Sequence, residues 1–106
     1  MTNHVMSVAS QEYATEVLQS EMPVVVDFYA EWCGPCKKLE KETYTDARVI
    51  AALQGFVCVR INVDEQEALA EQYAVNGIPQ VIFMKPDGKI LKQNTGFVEA
   101  AELVVG

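Results

Sequence analysis

Residues 24–37 decide how this chain folds, and they read Val-Val-Val-Asp-Phe-Tyr-Ala-Glu-Trp-Cys-Gly-Pro-Cys-Lys. The run from Val24 to Ala30 is β-branched and aromatic. It is too apolar for a strand with one solvent-exposed face, so it predicts a central strand that is buried on both faces. Gly34 and Pro35 then interrupt the pattern, and Pro35 is tolerated only in the first turn of a helix. The stretch therefore predicts a buried strand whose carboxyl end leads into a helix from about Cys36.

The two cysteines of this stretch are three residues apart, where the predicted helix begins. Unpaired N–H groups and the helix dipole favour an anion there by about 0.3–1 kcal/mol. Cys33 is therefore the predicted attacking thiolate, assisted by the Cys36 thiol as a hydrogen-bond donor and by Lys37. A disulfide at this spacing closes a very small loop and gains little stability, so the pair is expected to cycle between oxidised and reduced forms.

A Cys-x-x-Cys pair alone also fits half of a zinc site or an incidental pair. Tetrahedral zinc needs four ligands. Cys58 and His4 are the remaining soft candidates, and neither has the paired spacing of a zinc ribbon or finger. We therefore expect no metal and no organic cofactor.

Length and composition restrict the class of protein further. The chain has 106 residues, of which 50% are hydrophobic and 22% charged, as expected for one packed domain over residues 1–106. Fifteen acidic against eight basic residues give a net charge of −7, which opposes binding to nucleic acid. No basic residue precedes Lys37, and no apolar run approaches the roughly 18 residues of a membrane span. We expect neither a secretory signal nor membrane insertion.

The rest of the chain alternates predicted strands and helices. Strands are predicted at residues 5–8, 24–30, 56–63, 80–84 and 89–95, the last two joined by a turn at 86–88. Helices are predicted at residues 12–18 and from about 36, where a cap at Thr45 or Asp46 indicates a second helical segment or a kink that continues to Gly55. Two more are predicted, one with Ala68, Leu69 and Tyr73 on one face and one at 99–105. The pattern predicts an α/β fold in three layers, α/β/α, around a mixed sheet of about five strands with about four helices.

Over nearly all its length the chain resembles the thioredoxin family. The resemblance rests on residues 26–37, on Asn62-Val63-Asp64, on Gly77-Ile78-Pro79, and on Gly88 and Gly96. It implies a thioredoxin-like fold and a thiol–disulfide oxidoreductase that reduces disulfides of other proteins. It also implies an upstream reductase, such as a thioredoxin reductase or a membrane electron donor, for a monomeric protein of the cytoplasm.

The resemblance implies a role for each residue of the cysteine site. Cys33 attacks the target disulfide, and Cys36, the more buried of the two, resolves the mixed disulfide. Asp27 matches the buried carboxylate of the family. Its pKa is expected to rise within the apolar strand, so that it takes a proton as Cys36 attacks. A purely structural buried acid is the alternative for Asp27.

A groove for the substrate is implied beside the cysteines. The residues expected to form it are Trp32, Gly34, Pro35, Ile78, Pro79 and Gly96. Pro79 matches the cis proline of the family, with a trans turn proline as the alternative. Trp32 and Ile78 are expected at the apolar rim, although Trp32 also fits a place in the core. Gly34 and Pro35 favour the reducing direction.

Two positions depart from the ordinary thioredoxin pattern. Lys41 replaces a proline that kinks the second helix, and residues 42–49 are similar to the carboxyl-terminal domain of envelope disulfide-interchange reductases. Arg60 replaces a lysine near the buried carboxylate, and a guanidinium cannot shuttle a proton. Cys58 is interpreted as a small buried hydrophobe, with a regulatory thiol as the alternative.

The departures leave two other functions open. The chain could be the electron-transfer domain of a cell-envelope disulfide reductase, which would place it in the envelope. It could also be a non-catalytic binding module with the thioredoxin fold. Reduction of insulin disulfides separates an enzyme from a binding module, because only the enzyme requires Cys33.

Overall fold

The structure, a computed structural model, describes residues 5–7 and 20–104 of the chain. Within these ranges the strands are β1 (Val5–Ser7), β2 (Val24–Tyr29), β3 (Val57–Asn62), β4 (Gln80–Met84) and β5 (Ile90–Thr95). The α-helices in the same ranges are α1 (Gly34–Lys38), α2 (Ala47–Ala52), α3 (Glu67–Gln72) and α4 (Ala100–Val104). A π-helical turn (Leu39–Thr43) follows α1, and a 3-10 turn (Leu53–Gly55) follows α2. The helix predicted over residues 12–18 lies outside the described residues.

Strand β2 lies at the centre of one mixed sheet, in the order β1-β3-β2-β4-β5. β1 and β2 run parallel to β3, whereas β4 runs antiparallel to both β2 and β5. Val26 of β2 pairs with Val59 on one side and with Ile82 on the other. The central strand expected from the run at 24–30 is therefore confirmed, and it ends at Tyr29.

Successive residues of β2 face opposite layers of the fold. Val26 packs in an apolar cluster that includes Leu69 of α3. Its neighbour Val25 packs in a second cluster that includes Val49 of α2 and Leu103 of α4. Because helices cover both faces of the sheet, both faces of β2 are buried, and the α/β/α architecture predicted from the sequence is confirmed.

The helical segment after Cys36 changes from an α-helix to a π-helical turn and then back to an α-helix. In the π-helical turn the Tyr44 N–H donates to the Leu39 carbonyl at 3.0 Å, five residues back. Asp46 then caps α2, since its Oδ1 accepts the Arg48 N–H at 2.8 Å. Of the two caps predicted, Asp46 is the correct one. Thr45 instead donates to the Lys41 carbonyl.

Helix α3 corrects one detail of the sequence prediction. Leu69 is buried, and the Tyr73 ring, just beyond the helix, lies 5.7 Å from the Phe28 ring. Ala68, predicted to share their face, is exposed. Adjacent helical residues point about 100° apart, so Ala68 and Leu69 cannot both face the sheet.

The turn between β4 and β5 has the predicted chemistry. Gly88 has a φ of 90°, which glycine adopts without strain. Asp87 Oδ1 accepts the Lys89 N–H at 2.9 Å, and the Lys85 N–H donates to the Lys89 carbonyl. β5 begins at Ile90, one residue later than predicted, because Lys89 still belongs to this turn.

Candidate functional site

Cys33 lies where β2 gives way to α1, and its side chain caps that helix. Its Sγ accepts the Cys36 N–H at 3.0 Å, and its carbonyl accepts the Lys37 N–H at 3.2 Å. Pro35 occupies the first turn of α1, where the N–H it lacks would have no helical partner. The chain therefore directs an unpaired helical N–H group at the Cys33 sulfur, as the sequence predicts.

Cys33 and Cys36 are joined in a disulfide, with their Cα atoms 5.2 Å apart. That separation lies within the usual range of protein disulfides, so the first turn of α1 accommodates the bond. The exposed fraction is 3% for Cys33 and 2% for Cys36, so overall burial does not distinguish the two in this oxidised form. The structure thus contains the cysteine pair in its oxidised, disulfide form.

The cysteines sit in a small apolar cluster with Ala30, against which Tyr29, Val63 and Ile78 pack. The peptide bond between Ile78 and Pro79 is cis, so the trans alternative for Pro79 is wrong. The Pro79 carbonyl accepts the Gly96 N–H at 2.7 Å. Gly96 has a φ of 89°, a conformation that favours glycine.

These contacts connect three of the six predicted groove residues. Ile78 contacts the cysteine cluster, Pro79 follows it in the chain, and Gly96 is hydrogen-bonded to Pro79. Gly34 and Pro35, within the cysteine motif, are exposed. The disulfide therefore lies next to both apolar Ile78 and the exposed turn at Gly34 and Pro35.

Trp32 is the most exposed of the large hydrophobic side chains described, at 70%. Its indole Nε1 donates to Asp64 Oδ2 at 2.8 Å. The alternative in which Trp32 packs in the core is therefore wrong. The hydrogen bond holds an aromatic surface beside Cys33, where it faces solvent.

Asp27 lies on β2, on the face covered by the helical segment that follows Cys36. The residue is 4% exposed, and this burial raises the pKa of its carboxyl group to about 7. The Arg60 guanidinium opposes the rise. Burial thus accounts for the rise expected from the sequence, and near neutral pH a group with this pKa can both accept and release a proton.

Arg60 of β3 bridges two carboxylates. Its Nε lies 3.4 Å from Asp27 Oδ2, and its Nη2 donates to Glu40 Oε2 at 2.7 Å. The guanidinium also stacks on the Tyr29 ring, 3.7 Å from the centroid. The arginine that departs from the family pattern thus supplies a fixed positive charge next to Asp27.

Sequence reasoning missed three residues of this site: Glu40, Tyr44 and Asp64. Asp64 belongs to a quoted family motif, so a signal for it existed. The sequence held no such signal for Glu40 and Tyr44. In the π-helical turn, the residues that face the sheet do not follow the spacing of an α-helix.

Cys58 lies on β3 and is 4% exposed. Burial raises the pKa of its thiol to about 11, and its Sγ lies 3.9 Å from the Phe56 carbonyl. Its side chain packs with Val25 and Leu53 in the core. These observations support its interpretation as a small buried hydrophobe.

Among residues 5–7 and 20–104, no group of three or more His, Cys, Asp or Glu side chains is arranged to hold a metal ion. In the same part of the chain, no helix has the length and hydropathy needed to cross a bilayer. His4, a zinc candidate, lies outside the described residues.

Comparisons with known proteins agree with this geometry. The model of the family described as Thioredoxin matches residues 4–105. A thioredoxin of Acidithiobacillus ferridurans is 34% identical over 109 residues, which cover 97% of this chain and 93% of that protein. The thiol:disulfide interchange protein DsbD of Salmonella typhimurium is 40% identical over 85 residues, covering 74% of this chain but 15% of that protein.

A solved structure matches the whole fold. It is a chain from a study of the thiol resolving mechanism in yeast mitochondrial 1-Cys peroxiredoxin. Its TM-score is 0.77 at 25% identity, covering 94% of this chain and 91% of that one. The resemblances noted from the sequence, to thioredoxins and to the envelope reductase, are both confirmed.

Proposed function

This chain belongs to the thioredoxin family and is a thiol–disulfide oxidoreductase, and we propose that it reduces protein disulfides with Cys33 as nucleophile and Cys36 as resolving thiol. One observation carries the assignment of roles. Cys33 Sγ accepts a helical N–H from Cys36, an arrangement that stabilises negative charge on Cys33. Cys36 belongs to α1 itself, and its sulfur has no such donor among its described contacts.

The proposed reaction transfers two electrons in two steps. The Cys33 thiolate attacks one sulfur of the target disulfide, which forms a mixed disulfide and releases the other target sulfur as a thiolate. Cys36 then loses its proton and attacks Cys33 Sγ, releasing the second target thiolate. The target gains two electrons and takes up two protons, and the enzyme is left as the Cys33–Cys36 disulfide.

Asp27 is proposed to accept the proton of Cys36 in the second step. Its position on the sheet face beneath α1 and its pKa of about 7 support this role, because a carboxylate of that basicity accepts a proton readily at neutral pH. Arg60 cannot take the proton itself, so its role is to keep part of the Asp27 population ionised.

The substrate groove is proposed to run alongside the disulfide. Trp32 offers an exposed aromatic face, Ile78 and Pro79 offer apolar contact, and Gly96 keeps the adjacent backbone free of a side chain. Gly34 and Pro35 are exposed at the tip of the cysteine turn. An extended segment around a target cysteine fits such a surface.

The partners implied by the family are protein disulfides and a reductase that restores the dithiol. We further propose that the 106-residue chain is one domain that acts as a monomer in the cytoplasm. The 40% identity with part of DsbD, together with the sequence from Lys41 to Val49, favours one other candidate, electron transfer within the cell envelope. A redox titration against glutathione tests the direction of transfer, and fractionation of cells tests the location.

Reduction of insulin disulfides by dithiothreitol tests the roles of the cysteines. The wild-type protein and Cys58→Ala, the control for a cysteine outside the site, are expected to accelerate reduction, whereas Cys33→Ser is expected to be inactive. Cys36→Ser is expected to accumulate a mixed disulfide through Cys33, visible by mass spectrometry. Equal activity of Cys33→Ser and wild type would refute the proposal and favour a binding module.

A further inference from the structure

Two buried oxygen atoms next to the site have no hydrogen-bond partner among the described residues: Asp27 Oδ1 and Tyr44 Oη. Both residues line one small cavity of about 10 Å³, together with Leu53 and Cys58. A carboxylate or hydroxyl group buried without a partner is costly, because it has lost its hydrogen bonds to water. A third such atom, Arg60 Nε, lies 3.4 Å from the other Asp27 oxygen, Oδ2. Asp27 and Tyr44 are the two residues lining this cavity whose side chains carry oxygen, so each is placed to satisfy the other.

Tyr44 is brought to this cavity by the irregular winding of the helical segment. Its N–H closes the π-helical turn on the Leu39 carbonyl, and its ring packs against the core cluster that contains Val25. Burial and the Asp27 charge raise the pKa of the Tyr44 hydroxyl well above its ordinary value. At neutral pH the hydroxyl therefore keeps its proton and remains a donor.

Three parts of the fold surround Asp27: β3, the helical segment after Cys36, and β4. β3 contributes the Arg60 guanidinium and the neutral Cys58 thiol, and the helical segment contributes Glu40 and the Tyr44 hydroxyl. On the β4 side, Asp27 pairs with apolar Val81. Arg60 and Tyr44 lower the pKa of Asp27, whereas burial and Glu40 raise it.

We propose that Tyr44 is a positioning residue for Asp27, its buried hydroxyl holding the ionised carboxylate and so setting the pH range in which Asp27 accepts the Cys36 proton. This inference rests on the proposed function, in which Asp27 is that acceptor. In the oxidised structure the two oxygens do not meet in a hydrogen bond of ordinary geometry. The bond forms when Asp27 ionises, because a charged acceptor attracts the phenol more strongly than a neutral one.

Titration of Asp27 tests the contact without any catalytic assay. The protein is labelled with ¹³C at aspartate carboxyl carbons, kept in the oxidised form, and followed by NMR from pH 4 to pH 10, with Asp27→Asn to assign the signal. Tyr44→Phe keeps the ring and removes only the hydroxyl, and it is expected to move the Asp27 midpoint upward by about one pH unit. Tyr73→Phe, a matched change on the opposite face of the sheet, is expected to leave the midpoint in place.

Kinetics then test whether the contact acts through Asp27. In Tyr44→Phe the pH profile of mixed-disulfide resolution is expected to move upward by the same amount, and in an Asp27→Asn background Tyr44→Phe is expected to have no further effect. An unchanged or lowered midpoint in the NMR titration would overturn the inference even if the enzyme is fully active. A shifted midpoint with insulin reduction independent of Cys33 would instead uphold the contact and overturn the proposed function.

Discussion

Arg60 Nε lies 3.4 Å from Asp27 Oδ2, where the guanidinium of β3 meets the buried carboxyl group of β2. The sheet register produces this contact, since the two residues are direct partners in the parallel β2–β3 ladder and their side chains share a face. Burial raises the pKa of Asp27 and Arg60 lowers it. Together with the smaller contributions of Tyr44 and Glu40, these effects leave the pKa of Asp27 at about 7.

Removal of the Arg60 charge is expected to move that titration to higher pH. In Arg60→Met the carboxyl group stays buried but loses its attractive partner, so its pKa rises and less of it is ionised at pH 7. Mixed-disulfide resolution should slow at pH 7 and recover at higher pH, as measured by stopped-flow fluorescence. Arg60→Lys keeps the charge and serves as the control. Profiles of Arg60→Met and wild type with the same midpoint would contradict this account.

Asp27→Asn is expected to stabilise the protein at high pH. The pKa of Asp27 is about 7 in the folded protein against an ordinary value of 3.8, so between these pH values the folded state binds more protons than the unfolded state. Stability therefore falls as pH rises from about 4 to 7. Replacement by Asn should raise the free energy of unfolding at pH 8 by about 2–4 kcal/mol.

Urea denaturation over a range of pH measures this gain. It should fade as the pH falls toward 3, below which the carboxyl group is protonated in both states. Asp87→Asn, in the exposed turn between β4 and β5, provides a control without a buried carboxylate. A gain that does not depend on pH would show that Asp27 burial is not its source.

Trp32→Ala should weaken substrate binding more than it weakens the fold. The side chain is 70% exposed, so we expect the free energy of unfolding to change by less than about 1 kcal/mol. The KM for a protein disulfide should rise several-fold because an aromatic contact surface is lost. Trp32→Phe keeps an aromatic ring but loses the hydrogen bond to Asp64. Its KM should lie between those of the wild type and Trp32→Ala. A large loss of stability with unchanged KM would assign Trp32 to packing.

Cys58 should resist alkylation in the folded, reduced protein. Its thiol is buried and its pKa is about 11, so at pH 7 almost none of it is thiolate. Iodoacetamide should modify Cys33 first and reach Cys58 only after denaturant is added, as read by peptide mass spectrometry. Modification of native Cys58 at the rate of a free cysteine would favour its interpretation as a regulatory thiol.

The sequence alone determined the strands, the cysteine site and the family. Apolar runs such as residues 24–30 identify buried strands because no other element buries so many β-branched residues in succession. Gly34, Pro35 and the cysteine spacing determine a turn and a helix start because these constraints act between neighbours in the chain. The cap of α2 was limited to two candidates, Thr45 and Asp46, because capping also depends on residues that are neighbours in the chain.

Only the tertiary structure decided which side chains surround Asp27 and the disulfide. Tyr44 and Arg60 reach Asp27 from two different elements, and their meeting depends on the sheet register and on a π-helical turn that no sequence period reveals. The exposure of Trp32 was equally undetermined, because an aromatic residue after a strand fits a core or a surface until the neighbouring elements are placed. Local chemistry thus supplied the redox pair, whereas contacts between residues distant in the chain determine the proton affinity of its neighbour Asp27.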